Sequence, residues 1–120
     1  VKEGGSIIIA AECWDGIPSN SDYEKILNSV SSVEDLMNFI KANESTLKDT
    51  WQIYFQALIQ QKADVFLYSD KLDNETISMA LFKPVNNIEK LVDELLKKIG
   101  PDARICILPE GPQTIPYLKR

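Results

Sequence analysis

The chain has 120 residues, 44% of them hydrophobic and 26% charged, enough for one folded domain with its own core and too apolar for a disordered segment. Thirteen Lys and Arg against 18 Asp and Glu leave a net charge of -5, which argues against nucleic acid or an anionic membrane as partner. Histidine is absent, so the chain carries no imidazole base and no imidazole metal ligand.

The chain opens on Val1, and Val1-Lys2-Glu3-Gly4-Gly5 reads like the exit from a helix with glycine at its C-cap. The expectation is a fragment of a larger domain whose first element lies upstream. Residues 6–11, Ser-Ile-Ile-Ile-Ala-Ala, are apolar without alternation, the pattern of a strand buried on both faces of a parallel sheet. A helix follows over 22–29, with Tyr23, Ile26, Leu27 and Val30 on one side. Ser32 is placed to cap a second helix with the stripe Val33, Leu36, Met37 and Ile40, and Asp35 stands three residues on as a capping-box acid.

Residues 47–62 give the strongest helix pattern, with Trp51, Tyr54, Phe55, Leu58 and Ile59 on one side and Gln52, Gln56, Gln60 and Gln61 on much of the rest. Residues 65–68, Val-Phe-Leu-Tyr, form the second strand-like run. A short helix is expected over 74–80. Asn86 or Asn87 then caps a helix bearing Ile88, Leu91, Val92, Leu95, Leu96 and Ile99, which ends at Gly100. Residues 103–108, Ala-Arg-Ile-Cys-Ile-Leu, are the third strand-like run.

The order of strand, helices, strand, helices, strand predicts one α/β domain over 1–120: a three-layer α/β/α fold with a small parallel sheet. Cys13 and Cys106 lie in or beside apolar runs and read as reduced, buried thiols, in keeping with a cytoplasmic location. No apolar stretch approaches the ~18 residues needed to span a bilayer.

In parallel α/β sheets the binding crevice lies beyond the carboxyl ends of the strands. The first strand exits into Glu12-Cys13-Trp14-Asp15-Gly16, the second into Ser69-Asp70-Lys71, the third into Pro109-Glu110-Gly111-Pro112. Two readings stand for Glu12: it orients loop amides, or it touches a ligand or a neighbouring domain. Asp15 either closes an Asx-turn onto Ile17 or faces the same cleft. Cys13 is a packed thiol rather than a nucleophile, since no histidine is present to activate it. Lys71 is either solvated or binds an anion. Trp51 fits a core stripe with Phe55 and Leu58, yet near a helix start it can equally face a cleft or rest on a flat cofactor. The chain lacks Gly-x-Gly-x-x-Gly and Walker A loops, so it builds no nucleotide site of those kinds.

Residues 1–16, Val-Lys-Glu-Gly-Gly-Ser-Ile-Ile-Ile-Ala-Ala-Glu-Cys-Trp-Asp-Gly, resemble the opening of the C-terminal domain of the nickel-dependent lactate racemase family. Gly100-Pro101-Asp102-Ala103-Arg104-Ile105, Leu108-Pro109-Glu110-Gly111 and Thr114-Ile115-Pro116 resemble the end of that domain, and residues 63–69 fit between. Together they span nearly the whole chain, their order and spacing carrying the weight. The resemblance implies two α/β domains around a cleft, and interconversion of D and L 2-hydroxy acids such as lactate by hydride transfer to a nickel pincer nucleotide. It implies that the cofactor-bearing lysine, the nickel-binding histidine and the acid–base histidines belong to an N-terminal catalytic domain. No catalytic residue and no metal ligand is then expected here, and this chain binds no cofactor by itself. By position, Trp51 looks like the family's tryptophan near the cofactor, while Glu12 and Asp15 are candidates for the cleft. The domain closes that cleft and is inactive alone. The competing reading is a stand-alone α/β binding or interaction module without catalysis.

Overall fold

Gly5–Ala10 forms the first strand, β1, in the computed structural model, which describes residues 1–43 and 51–115. Three helices follow: α1, Asp22–Asn28; α2, Val33–Ala42; and α3, Trp51–Lys62. Next come β2, Ala63–Tyr68, the short helix α4, Asn74–Met79, and a two-residue strand β3, Lys83–Pro84. The helix α5, Ile88–Ile99, and a 3-10 turn at Gly111–Gln113 complete the described elements.

The chain divides into two units, Val1–Ile88 and Glu89–Arg120. The first holds a parallel sheet of order β1-β2-β3 flanked by helices, as an α/β/α fragment would. Register runs from Gly5 opposite Ala63 to Ala10 opposite Tyr68, and Phe66 and Leu67 face Lys83 and Pro84. The β1–β2 ladder is prolonged at both ends, by Gly4 N–H to the Lys62 carbonyl (2.7 Å) and Ala11 N–H to the Tyr68 carbonyl (3.0 Å). Parallel strands need a long crossover, and α1 to α3 supply it.

Local capping sets the helix starts. Ser32 Oγ accepts from Asp35 N–H at 3.0 Å, and the Asp35 carboxylate accepts from Ser31 N–H, as the Ser-x-x-Asp spacing predicts. Ser21 caps α1 in the same way, accepting from Glu24 N–H at 3.1 Å. In the second unit, α5 stops at Gly100, whose φ of +93° is a left-handed cap that favours glycine.

The core joins Ile26 and Leu27 of α1, Leu36, Met37 and Ile40 of α2, Ile53 and Ala57 of α3, and Ala80 after α4. The sheet departs from the expectation of strands buried on both faces. In β2, Ala63, Val65 and Leu67 are buried while Asp64, Phe66 and Tyr68 are half-buried, and β1 has no fully buried residue. Among the described residues β1 lies at the edge of the sheet.

The third strand also differs. Residues 103–108 are not a strand, and they form no ladder with any described residue; Cys106, Ile105, Ile107 and Leu108 are exposed. An apolar run becomes a strand only with a hydrogen-bonding neighbour. That place beside β2 belongs to Lys83–Pro84, where proline is tolerated because β3 is an edge. The thiols of Cys13 and Cys106 are free, but neither is buried, which corrects the buried part of that expectation.

The face of α3 differs from the periodicity reading, although Leu58 of the expected stripe does pack against the core. Ile53 and Ala57 point inward, and Trp51, Tyr54, Phe55 and Ile59 are exposed. The inward side also carries two glutamines with specific work. Gln56 Nε2 donates to the Ala80 carbonyl and Gln60 Nε2 to the Leu81 carbonyl, each at 2.7 Å, and Tyr23 O–H donates to Gln56 Oε1 at 2.6 Å. Burial pushes the Tyr23 pKa up. Gln56→Ala strips a partner from both Tyr23 and Ala80; the expected loss is about 1–3 kcal/mol in urea unfolding. A change within experimental error would show that water replaces the amide at no cost.

Candidate strand-exit site

Two loops leave the carboxyl ends of β1 and β2, and Ser69 ties them together. Its hydroxyl donates to the backbone carbonyl of Glu12 at 2.7 Å. The same oxygen accepts from the N–H groups of Lys71 and Leu72, at 3.1 and 3.2 Å. Thus it is the Glu12 carbonyl, not the carboxylate, that organises the junction; the side chain stays in solvent.

The first loop turns sharply. Gly16 N–H donates to the Cys13 carbonyl at 3.0 Å, and Cys13 itself has φ +52°, left-handed backbone that a non-glycine residue adopts at a cost. The turn is therefore closed by backbone, and the exposed Asp15 carboxylate takes no part in it. Trp14 is 75% exposed, and the Lys71 ammonium sits 5.3 Å from its ring centroid, a cation–π contact between the two loops. Lys71 is exposed, as the solvated reading expects, and its ammonium also rests on the Trp14 ring. The Asp70 carboxylate near the Tyr68 hydroxyl raises the Tyr68 pKa: as an acceptor it favours the protonated phenol, and its charge acts in the same direction.

Asp73, just beyond, caps α4 by accepting from Thr76 N–H at 2.7 Å, and that bond lowers its pKa. A depressed carboxylate pKa means the cap is fully present above the ordinary carboxylate range and is lost as pH falls through the lowered value. The Thr76 amide shift, followed by NMR, should titrate at that low pH. Asp73→Asn should abolish the titration and keep the cap; a Thr76 shift that still titrates in the variant would reject the assignment.

Trp51, the first described residue of α3, has 62% of its surface exposed, so the core-stripe reading is wrong for it. Its ring meets Phe55 edge-on at 6.3 Å and 73°, and Phe55 meets Tyr54 at 5.9 Å and 63°. Tyr54 and Phe55 are members of an exposed aromatic row that the size-weighted stripe assigned to the core. Residues 44–50, the polar approach to Trp51 and the expected first turn of its helix, lie outside the described residues.

Hollows of about 400 Å³ lie elsewhere, one by Met37, Lys41 and Gln60 and one by Leu27, Ser31 and Met79. Neither is lined by Glu12, Asp15 or Trp51, and all three of these residues are exposed. Among the described residues no group of three or more Cys, Asp and Glu is arranged to hold a metal ion. No helix among them is long and apolar enough to cross a membrane.

Comparison with known proteins converges on one family. The family model described as the lactate racemase C-terminal domain matches residues 1–115. A curated lactate racemase of Thermoanaerobacterium thermosaccharolyticum is 28% identical over 116 residues, 95% of this chain and 27% of the relative. The solved structure of the lactate racemase apoprotein from the same organism superposes with a TM-score of 0.77 at 27% identity, covering 95% of this chain and 28% of that one. The chain therefore spans about a quarter of the length of these relatives.

Proposed function

We propose that this chain, which belongs to the lactate racemase C-terminal domain family, closes the substrate cleft of an isomerase that interconverts D and L 2-hydroxy acids such as lactate. The observation that carries the reading is the family match over residues 1–115, in a chain whose chemistry-bearing surface is open rather than enclosed. A surface of that kind needs a second wall. The partner is an N-terminal catalytic domain of the same polypeptide, in keeping with relatives nearly four times as long as the region matched.

Trp51, Glu12 and Asp15 are the residues assigned to the cleft. Topology supports grouping them. A helix that leads straight into a parallel strand runs back along it, and α3 passes into β2 with no intervening residue. Trp51, eleven residues before the end of α3, then belongs toward the carboxyl-end side, where the Glu12 and Asp15 loop emerges. There an exposed indole orients a bound molecule and excludes water from one side of it.

The nickel pincer nucleotide of this reading would supply the hydride acceptor when bound. This chain has no histidine, and its described carboxylates and thiols do not converge, so it is unsuited to hold nickel. Anchoring and acid–base work are assigned to the catalytic domain, and the isolated domain is inactive. What Trp51 offers is an apolar ring face against a flat group. The free thiols fit the proposed cytoplasmic location.

The test is enantiomer conversion by the polypeptide that joins this chain to its catalytic domain. Glu12→Gln combined with Asp15→Asn should raise the KM for lactate several-fold with little change in stability. Unchanged kinetic constants in a folded double variant would remove both residues from the cleft.

A further inference from the structure

The strand-exit loops are joined twice by independent contacts. Beneath, the Ser69 hydroxyl donates to the Glu12 carbonyl while accepting from Lys71 and Leu72 N–H. Above, the Lys71 ammonium covers the Trp14 ring. One small side chain thus uses its single proton on the first loop and its lone pairs on the second. The first loop is a strained turn. It contains a left-handed cysteine at φ +52° and a left-handed glycine at φ +66°, and it is closed by the bond from Gly16 N–H to the Cys13 carbonyl.

We propose that Ser69 is a positioning residue: it locks the loop bearing Glu12 and Asp15 to the loop bearing Asp70 and Lys71, so that the rim of the proposed cleft acts as one body. The proposal rests on the cleft reading for its consequence in catalysis, but the lock is a property of this chain and is measurable without activity. Ser69 touches no substrate in this account. It acts through the register of the residues it joins. Losing the hydroxyl leaves the Glu12 carbonyl and two amides to water and lets the strained turn at Cys13 relax.

Cys13 reports on the lock, because it sits half-buried in the turn that Ser69 holds. In a Cys106→Ser background of the 120-residue chain, the rate at which Ellman's reagent labels Cys13 is compared among Ser69, Ser69→Ala and Ser69→Thr. The expected result is about a tenfold faster reaction for Ser69→Ala and a rate within threefold of the parent for Ser69→Thr, which keeps the hydroxyl. An increase of threefold or less for Ser69→Ala, or equal acceleration by both variants, overturns the lock. If Ser69→Ala does not fold by circular dichroism, Ser69→Val against Ser69→Thr makes the same comparison at matched shape. In the joined polypeptide, Ser69→Ala should raise KM more than it lowers kcat, with rescue by Ser69→Thr. A loosened loop with unchanged KM and kcat would sink the cleft reading of Glu12 and Asp15, and with it the positioning role, while leaving the lock itself standing.

Discussion

Leu36→Ala is expected to lower the unfolding free energy by about 2–5 kcal/mol. Leu36 is 0% exposed, and its neighbours in the core come from α1, α3 and the end of α4, so no single element can collapse into the space left behind. The matched control is Ile107→Ala. Sequence pattern makes Ile107 the centre of a buried strand, for which the same truncation would cost as much. With 79% of its surface exposed, the expected change is instead within about 0.5 kcal/mol. Urea unfolding of the two variants side by side checks the assignment. Comparable losses at both positions would mean that residues 103–108 carry core packing after all.

That pair of residues marks the boundary between what is legible in the sequence and what is not. Signals that act over three or four residues translated directly into structure. Ser32 with Asp35 made the α2 cap, Gly100 ended α5, and the runs at 6–11 and 65–68 became β1 and β2 within two residues of their bounds. Signals that depend on a distant partner did not. The run at 103–108 has the composition of a strand, yet a strand is a relation between two segments, and β2 pairs with Lys83–Pro84 instead. Two residues, one of them proline, give no periodicity to detect.

The face of α3 was hidden for another reason. Ranking positions by apolar bulk selects Trp51, Tyr54, Phe55, Leu58 and Ile59 as the inner side; Leu58 packs against the core and the other four are exposed. The packed side is chosen by fit: Ala57 admits close approach, and Gln56 and Gln60 end on the carbonyls of Ala80 and Leu81. Of the candidate site, the strand-exit position of Glu12 and Asp15 followed from the crevice rule once β1 was recognised. Ser69 lay in view within Ser-Asp-Lys, but its link to Glu12 spans 57 positions in sequence and had no local signature.

Trp51→Ala is expected to reduce racemisation by the joined polypeptide on the order of 10²-fold, the loss typical when a reacting group is displaced by about 1 Å. Stability should change by no more than about 0.5 kcal/mol, because the indole is 62% exposed and meets Phe55 edge-on at its rim. Phe55→Ala separates positioning from simple exposure. It leaves the indole in place without its edge partner, and a smaller loss is expected. Full activity in a folded Trp51→Ala enzyme would return the aromatic row of α3 to the status of surface.

The most direct measurement of the central claim compares the purified 120-residue chain with the polypeptide that joins it to the proposed catalytic domain, each supplied with D-lactate and followed by an L-lactate-specific coupled assay. The account predicts no L-lactate above background from the chain alone and steady production from the joined, cofactor-loaded polypeptide. Turnover by the isolated chain, or a folded and loaded polypeptide that leaves both enantiomers unchanged, would contradict it.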